Sequence, residues 1–597
     1  MRIAVLVKQI PAFEELELGE DGRLKRSGVD LEMNAYCRRA VSQGVELAAA
    51  VGDGTVTVFT LGPPAADDVL REAIAWGSEA AVAIDGVLVT DLAFAGSDTL
   101  ATARALAAAL EHEGPFDLVL AGRNSIDAET GQVGPEVAEL LDLPFATGVR
   151  HLSMKSRTLH LRCEHDDGWV QLEIEHPLVA SCAERLIEPC KMDAEARALV
   201  PAERIRVLHA ADLGSGPWGA DGSPTTVGEV RLHRVERARH RCSGDTAEQV
   251  REAVMLLEQR GALDETDEDA VSIERVPPTG GPGPVVGVVL EPERAHLGRE
   301  LLGAAATLAA AIGGRVVALT LEAPRAAVLG SWGADDVLVI EGALVEEDVA
   351  RVVAEWARDE IAWAVLAPST AWGREVAARA AARLGAGLTG DAIDLEIGES
   401  RLVAWKPAFG GQLVAAVRAS SPVQMATIRA GMLPQLAPRP ATATVRSLTI
   451  RPRGRVRVLG RTREDDLDTL AEARVVVGVG TGGLTPDDYP ALDPLRRVLG
   501  AELGATRKVT DRGWMPRARQ IGITGRTIAP RLYVALGTSG KFNHMVGVRR
   551  AGTILAVNHD PDALVFDAAD IGIVGDTREV ASLLAAELER VREGVAG

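Results

Sequence analysis

Near its C-terminal end the chain brings together residue types that hold nucleotides. An apolar run, Leu532 to Leu536, leads into Gly537-Thr538-Ser539-Gly540-Lys541-Phe542-Asn543-His544. A second, Ile554 to Val557, leads into Asn558-His559-Asp560-Pro561, and a third, Ile571 to Val574, into Gly575-Asp576. Glycines let backbone amides approach a ligand, while Ser, Asn and Asp supply hydrogen bonds and the imidazole supplies a donor. Strand ends that deliver such groups to one edge of a parallel sheet are where open α/β folds bind nucleotides. Any one of these loops alone could simply turn the chain. Taken together they read as a cofactor site with His544 facing the ligand.

Short β-branched runs alternate with Ala-, Leu-, Arg- and Glu-rich stretches, as parallel α/β sheets require. The expected strands are Ile3–Val7, Val56–Leu61, Ala81–Ile84 and Leu118–Ala121, then Val285–Leu290, Val316–Leu319, Val337–Ile340 and Ala364–Ala367. Helices are expected at Asp67–Trp76, Leu100–Glu111, Gly298–Ile312 and Arg374–Leu384. The two sets form an internal repeat. Trp76-Gly77 recurs as Trp332-Gly333, and Ile84-Asp85-Gly86 as Ile340-Glu341-Gly342, both 256 residues on. Gly134-Pro135-Glu136-Val137-Ala138 is echoed by Gly373-Arg374-Glu375-Val376-Ala377, and Thr147-Gly148 by Thr389-Gly390. A period this long implies two related domains and no solenoid.

A chain of 597 residues has room for about four domains. Breakers crowd 214–223, 277–284 and 432–455, and such segments read as linkers. The domains are expected at 1–270, 284–435 and 456–597, joined by 271–283 and 436–455. A net charge of −21 argues against a nucleic-acid partner. Cys37, Cys163, Cys182, Cys190 and Cys242 form no C-x-x-C pair, so neither a disulfide framework nor a metal site is expected. Free thiols fit a reducing cytoplasm. The first apolar run stops at Lys8, too soon for a signal peptide, and no run is long enough to insert in a membrane. A cytoplasmic protein is expected.

From Arg474 to Leu584 the chain resembles the flavin-binding domain of the large subunit of electron-transfer flavoproteins. Gly504-Ala505-Thr506-Arg507, Gly522-Ile523-Thr524-Gly525, Ser539 to His544, Asn558-His559-Asp560-Pro561 and Ile571 to Asp576 match in order and spacing. Residues 1 to about 270 are similar to the small subunit, with Val5-Leu6-Val7-Lys8-Gln9-Ile10-Pro11 and Leu61-Gly62-Pro63-Pro64 as markers. Residues 284 to about 435 are similar to the first domain of the large subunit, through Pro407-Ala408-Phe409-Gly410-Gly411. The resemblance implies both subunits fused, small one first. It also implies two related Rossmann-like (adenine nucleotide alpha hydrolase-like) domains plus a C-terminal doubly wound FAD-binding domain.

By this resemblance His544 lies near the flavin C2 carbonyl, where a donor favours an anionic reduced flavin. Thr524 is expected at flavin N5 and Arg507, beside Thr506, against the rings. Ile521, Gly522, Ile523 and Gly525 complete that loop. Ser539 and Gly540 should meet the pyrophosphate, with Lys541, Phe542 and Asn543 leading to His544, while Asn558 and Asp576 hold the adenosine. Two positions depart from the family pattern: Thr481 stands where an arginine is usual and Ile523 where a glutamine is common. Losing the cation should lower the flavin potential.

The resemblance implies a second nucleotide in the first domain, at Gly122-Arg123-Asn124-Ser125-Ile126-Asp127-Ala128-Glu129-Thr130-Gly131-Gln132-Val133-Gly134-Pro135. Thr130 and Gly131 would offer a hydroxyl and amides to a phosphate at a helix start, or serve as an ordinary cap. Asp127, Gln132, Val133 and Asn34 are further candidates. The simple carriers hold AMP there; the Gln132-Val133-Gly134-Pro135 ending is more similar to bifurcating members, which hold a second FAD. In the partner-recognition region Ala194 replaces the usual leucine, and Val200-Pro201-Ala202-Glu203 the usual lysines, leaving Met192 and Leu199 as an alternative anchor.

The function implied is an FAD-containing carrier between a flavin dehydrogenase or other redox donor and a quinone reductase or other acceptor. The alternatives are an electron-bifurcating NADH-oxidising enzyme with two FADs and a nucleotide-binding regulator without redox function.

Overall fold

The computed structural model describes residues 1–11, 30–166, 168–232, 237–264, 274–323, 325–408, 413–463, 469–470, 473–522, 525–526 and 528–595. These fall into two compact units, residues 1–232 with 274–462 and residues 233–273 with 463–597.

The larger unit contains both copies of the repeat. In the first copy the parallel strands Arg2–Leu6, Thr55–Leu61, Ile84–Val89, Leu118–Gly122 and Leu178–Cys182 carry near-continuous apolar residues, as a sheet covered by helices on both faces requires. Val285–Val289, Arg315–Thr320, Asp336–Glu341, Ala364–Pro368 and Gln424–Ile428 form the second copy's sheet in the same way. Local signals place the helices between them. Asp98 caps Thr99–Glu113 by accepting from the Ala101 N–H, and Gly385, at φ 63°, ends Ala371–Leu384.

The repeat is plainest at a bulge. In the first copy the strand Phe145–Lys155 is irregular opposite Ala180 and Cys182; Gly148 there has φ 64° and its N–H donates to the Ser181 hydroxyl. In the second copy Gly387–Ala392 bulges in the same place, with Asp391 at φ 62° and its N–H on the Thr427 hydroxyl. Each copy also lends a strand to the other. Thr225–Leu232 pairs antiparallel with Leu413–Ala419, and Val456–Arg463 adds an edge beside Gly168–Glu175.

The strand expected at Ala81–Ile84 instead runs Ile84–Val89. Asp85-Gly86 looks like a turn, but Gly86 is mid-strand, where a Cβ would lie 3.2 Å from Leu70 and 3.3 Å from Ile205. Ile84-Asp85-Gly86 therefore opens a strand, whereas Ile340-Glu341 closes one.

The smaller unit is one parallel sheet in the order His240–Arg241, Ile571–Val574, Thr553–Asn558, Leu532–Leu536, Val475–Val479, Glu502–Ala505. Strand order reverses between Val475–Val479 and Leu532–Leu536, which makes that seam the topological switch point. Residues 237–264, which the sequence assigns to the first domain, belong to this unit. They supply the edge strand and the helix Thr246–Gln259, whose apolar face joins the core of Val475–Val479 and Leu532–Leu536. Asp570 fastens them, accepting from Arg237 Nη1, Arg260 Nη2 and the Ile554 N–H, all at 2.9 Å.

Candidate functional site at the switch point of the C-terminal sheet

Glycine brings the loops at the switch point together. Gly480 and Gly482 donate to the carbonyls of Leu536 and Gly537 at 2.8 and 3.0 Å. A Cβ on Gly480 would lie 2.2 Å from the Gly537 carbonyl, and one on Gly540 (φ 74°) 1.9 Å from the Val565 nitrogen. Between them Thr538 is buried, and its hydroxyl finds no partner among the described residues. Thr481 and Ser539 lie beside these glycines, Ser539 and Lys541 being exposed.

His544 is buried on the short helix Phe542–Met545. Its Nδ1 lies 3.0 Å from the Ile521 carbonyl, which can only accept, and its Nε2 lies 2.7 Å from the Tyr533 hydroxyl. Burial pushes its pKa down to about 4, against an upward pull from the Ile521 carbonyl. The imidazole at neutral pH is therefore uncharged, with the hydrogen on Nδ1 and Tyr533 donating to Nε2. Both ring nitrogens thus meet protein groups.

Several other flavin candidates also have protein partners. Asn558 donates to the Thr538 carbonyl at 2.8 Å and accepts from the Asp560 N–H at 3.0 Å. Asp576 caps the helix Thr577–Val595 by accepting from the N–H groups of Arg578 and Glu579. Thr506 precedes the short helix Arg507–Asp511, along which the exposed Arg507 pairs with Asp511 at 3.3 Å. Gly522, at φ 128°, and Gly525 close a turn in which Gly522 donates to the Arg526 carbonyl. Ile523 and Thr524 lie outside the described residues, as do the side chains of Phe542 and Asn543 and the marker residues Phe409 to Gly411. Tyr533 and Gly478 are additions that the sequence reading missed, and Thr538 lies in the loop it singled out but was given no role there. The available signal was a glycine inside an otherwise all-valine strand, Val475–Val479.

In the larger unit, residues 122–132 form the second candidate site. Lys8 Nζ bonds Asp127 at 2.7 Å and the Ser125 hydroxyl at 3.2 Å. Buried Asn34 holds the loop through the Asn124 carbonyl and the Ile126 N–H. The adjoining helix begins at Val133, beyond Thr130 and Gly131, so those two lie in the loop before it. Gln132 is buried and engaged at both ends, accepting from Thr99 and donating to the Leu388 carbonyl. Glu129 (φ 51°) and Gly131 (φ 64°) both adopt the left-handed backbone region, which twists the loop there. Charges from the second copy surround the loop. Arg429 bridges Glu129 and Asp391, Arg374 bonds Asp391, and Lys406 donates to the Ala128 carbonyl. Burial lowers Lys406 to about 8, although Asp391 and Glu129 pull the other way.

The electron transfer flavoprotein domain family matches this chain twice, over residues 21–207 and 283–452, and the electron transfer flavoprotein FAD-binding domain matches 469–549. The chain belongs to the electron transfer flavoprotein family. It is 36% identical to the alpha subunit of Thermoanaerobacterium thermosaccharolyticum over 278 residues, covering 44% of this chain and 83% of that subunit. It is 35% identical to the same organism's beta subunit over 269 residues, covering 44% of this chain and all of the subunit. Protein FixB of Clostridium saccharobutylicum is 31% identical over 315 residues, half of this chain and 94% of FixB. The polypeptide is thus an electron transfer flavoprotein with beta- and alpha-type halves fused in that order. The switch point fits the FAD of such a domain: its glycines let the two loops pack backbone to backbone at the sheet edge, and the buried Thr538 hydroxyl there has no partner among the described residues.

His240 and Cys242 at the edge strand and Glu252 on the helix Thr246–Gln259 bring metal-ligand atoms within 4.8 Å of one another. Each has another occupation: His240 bonds Glu252 at 2.7 Å, Glu252 accepts from the Ser243 N–H, and Cys242 packs in the core. No helix among the described residues is long and apolar enough to cross a membrane.

Proposed function

We propose that this flavoprotein carries electrons in the cytoplasm from a flavin-dependent dehydrogenase, or another redox protein, to a quinone reductase or other redox acceptor. The observation that carries the reading is the meeting of the 480–483 and 537–540 loops at the switch point of the C-terminal sheet, within the matched FAD-binding domain. FAD bound there supplies one- and two-electron chemistry. The protein binds and orients it: Ser539 and the Gly540 amide hold the pyrophosphate, Asn558 and Asp576 the adenosine, Thr506 and Arg507 the ring system. Arg507 would exchange its exposed ion pair with Asp511 for that contact at little cost, since such pairs contribute at most about 1 kcal/mol. All five cysteines are unpaired, which supports a reducing compartment. Leu199 is 82% exposed whereas Met192 packs against the first core, so Leu199 is the better partner anchor.

A nucleotide phosphate at Thr130 and Gly131 completes the reading, as AMP in a simple carrier or as FAD in a bifurcating enzyme. The Gln132-Val133-Gly134-Pro135 ending favours FAD. Against a direct contact from Gln132 stand its two existing hydrogen bonds. Extraction of nucleotides from the purified protein and its Thr130→Glu variant tests this. The carrier reading expects FAD and AMP in equal amounts, with only AMP lost in the variant. Two FADs, one of them lost, would replace it with the bifurcating reading.

A further inference from the structure

Tyr533 is fully buried in the central strand Leu532–Leu536, an unusual place for a hydroxyl in a strand that is otherwise apolar. Burying a phenol costs free energy unless its hydroxyl is bonded, and here the partner is His544 Nε2 at 2.7 Å. The neighbouring strand is shaped around it: a Cβ on Gly478 would lie 1.7 Å from the Tyr533 hydroxyl oxygen. Any residue larger than glycine at 478 would push the phenol off the imidazole. On the opposite side of the ring, Nδ1 is fixed by the Ile521 carbonyl at 3.0 Å. That carbonyl belongs to the loop leading into Gly522 and Gly525, so one chain of hydrogen bonds links the central strand, the His544 helix and the 521–526 turn.

We propose that Tyr533 is a positioning residue for the flavin potential, fixing His544 as a neutral imidazole with its hydrogen on Nδ1. The proposal rests on the reading that His544 lies beside the flavin. A hydroxyl donating to Nε2 stabilises the uncharged ring, because a hydrogen bond to the neutral form disfavours the charged one. The effect is to withhold a cation from the place where reduction adds negative charge, which keeps the potential low. Thr481, in place of the family's arginine, acts in the same sense. Tyr533 itself needs no contact with the cofactor and works through the imidazole.

The test uses the full-length FAD-loaded protein with 15N-labelled histidine. The His544 resonances, identified by their loss in His544→Ala, should show a protonated Nδ1 and a bare Nε2 at neutral pH. Tyr533→Phe should retain FAD, move the Nε2 resonance and favour uptake of the first electron by about three- to tenfold, the range expected for one hydrogen bond. That gain should vanish in the His544→Ala background. The proposal is overturned if wild-type His544 carries its hydrogen on Nε2 or on both nitrogens. It is equally overturned if Tyr533→Phe leaves the potential unmoved, or moves it by the same amount with and without His544. Should His544→Ala alone leave the potential unchanged, the placement of His544 beside the flavin falls, and the proposal with it. Should Tyr533→Phe fail to fold, the wild-type ring state decides.

Discussion

On the proposed reading, Thr481 and His544 are two positions at which the flavin site gains no positive charge, the cation set against the rings being Arg507. The turn Gly480 to Gly483 is bonded to the 537 loop and holds Thr481, where the resemblance to the family implies an arginine. The imidazole across the seam is kept neutral by burial. Restoring a guanidinium with Thr481→Arg should therefore raise the flavin's reduction potential, by about 1–3 kcal/mol for a cation several ångströms away in a partly screened site. Redox titration of the variant checks this, and an unchanged or lower potential would count against the placement of Thr481. At this scale the sequence proposed which residues matter and was silent about which protein groups they bond. His544 is legible from its loop, but its partners Tyr533 and Ile521 come from other parts of the chain, and no local pattern links them.

Elements were easiest to read where apolar runs were continuous and bounded by breakers. The strands at 285–289, 315–320 and 364–368 are such runs, because a sheet covered on both faces demands them. Gly86 broke that rule: a glycine admitted for close packing looks the same in sequence as one admitted for a turn. The helix Val133–Leu140 hides another such feature, since Glu136 lies on its buried face. Burial, reinforced by Asp98, raises the Glu136 carboxyl from 4.5 to about 8, so the folded protein keeps a proton that the unfolded chain releases. Its contribution to stability is complete below pH 4.5 and declines as pH rises toward 8. Glu136→Gln, which mimics the protonated acid, should stabilise the protein by about 2–3 kcal/mol at pH 7 and leave it nearly unchanged at pH 4.5. Chemical denaturation at the two pH values measures the difference. Equal stability of the two proteins at pH 7 would show that Glu136 ionises normally.

On the scale of the whole molecule, the two halves of the fused chain are interwoven in ways their sequences do not announce. Strands 225–232 and 456–463 each complete the other copy's sheet, and residues 237–264 supply an edge strand and a helix to the C-terminal unit. Pairing of this kind depends on edges that exist only after both partners have folded, so composition and periodicity give no sign of it. A protease cut within 277–284 should accordingly leave the two fragments together on a sizing column without denaturant, and their separation would refute the exchange. The central claim is that the switch point of the C-terminal sheet holds FAD. Ser539 is exposed there, so Ser539→Glu places a carboxylate at the expected pyrophosphate position without disturbing the core. The decisive measurement is FAD per chain in the wild type and in Ser539→Glu, with the fold of both monitored by circular dichroism. Wild-type protein should be isolated with FAD bound, and the folded variant should lose the flavin of this site. A wild type that cannot hold FAD, or a variant that keeps it undiminished, would contradict the account.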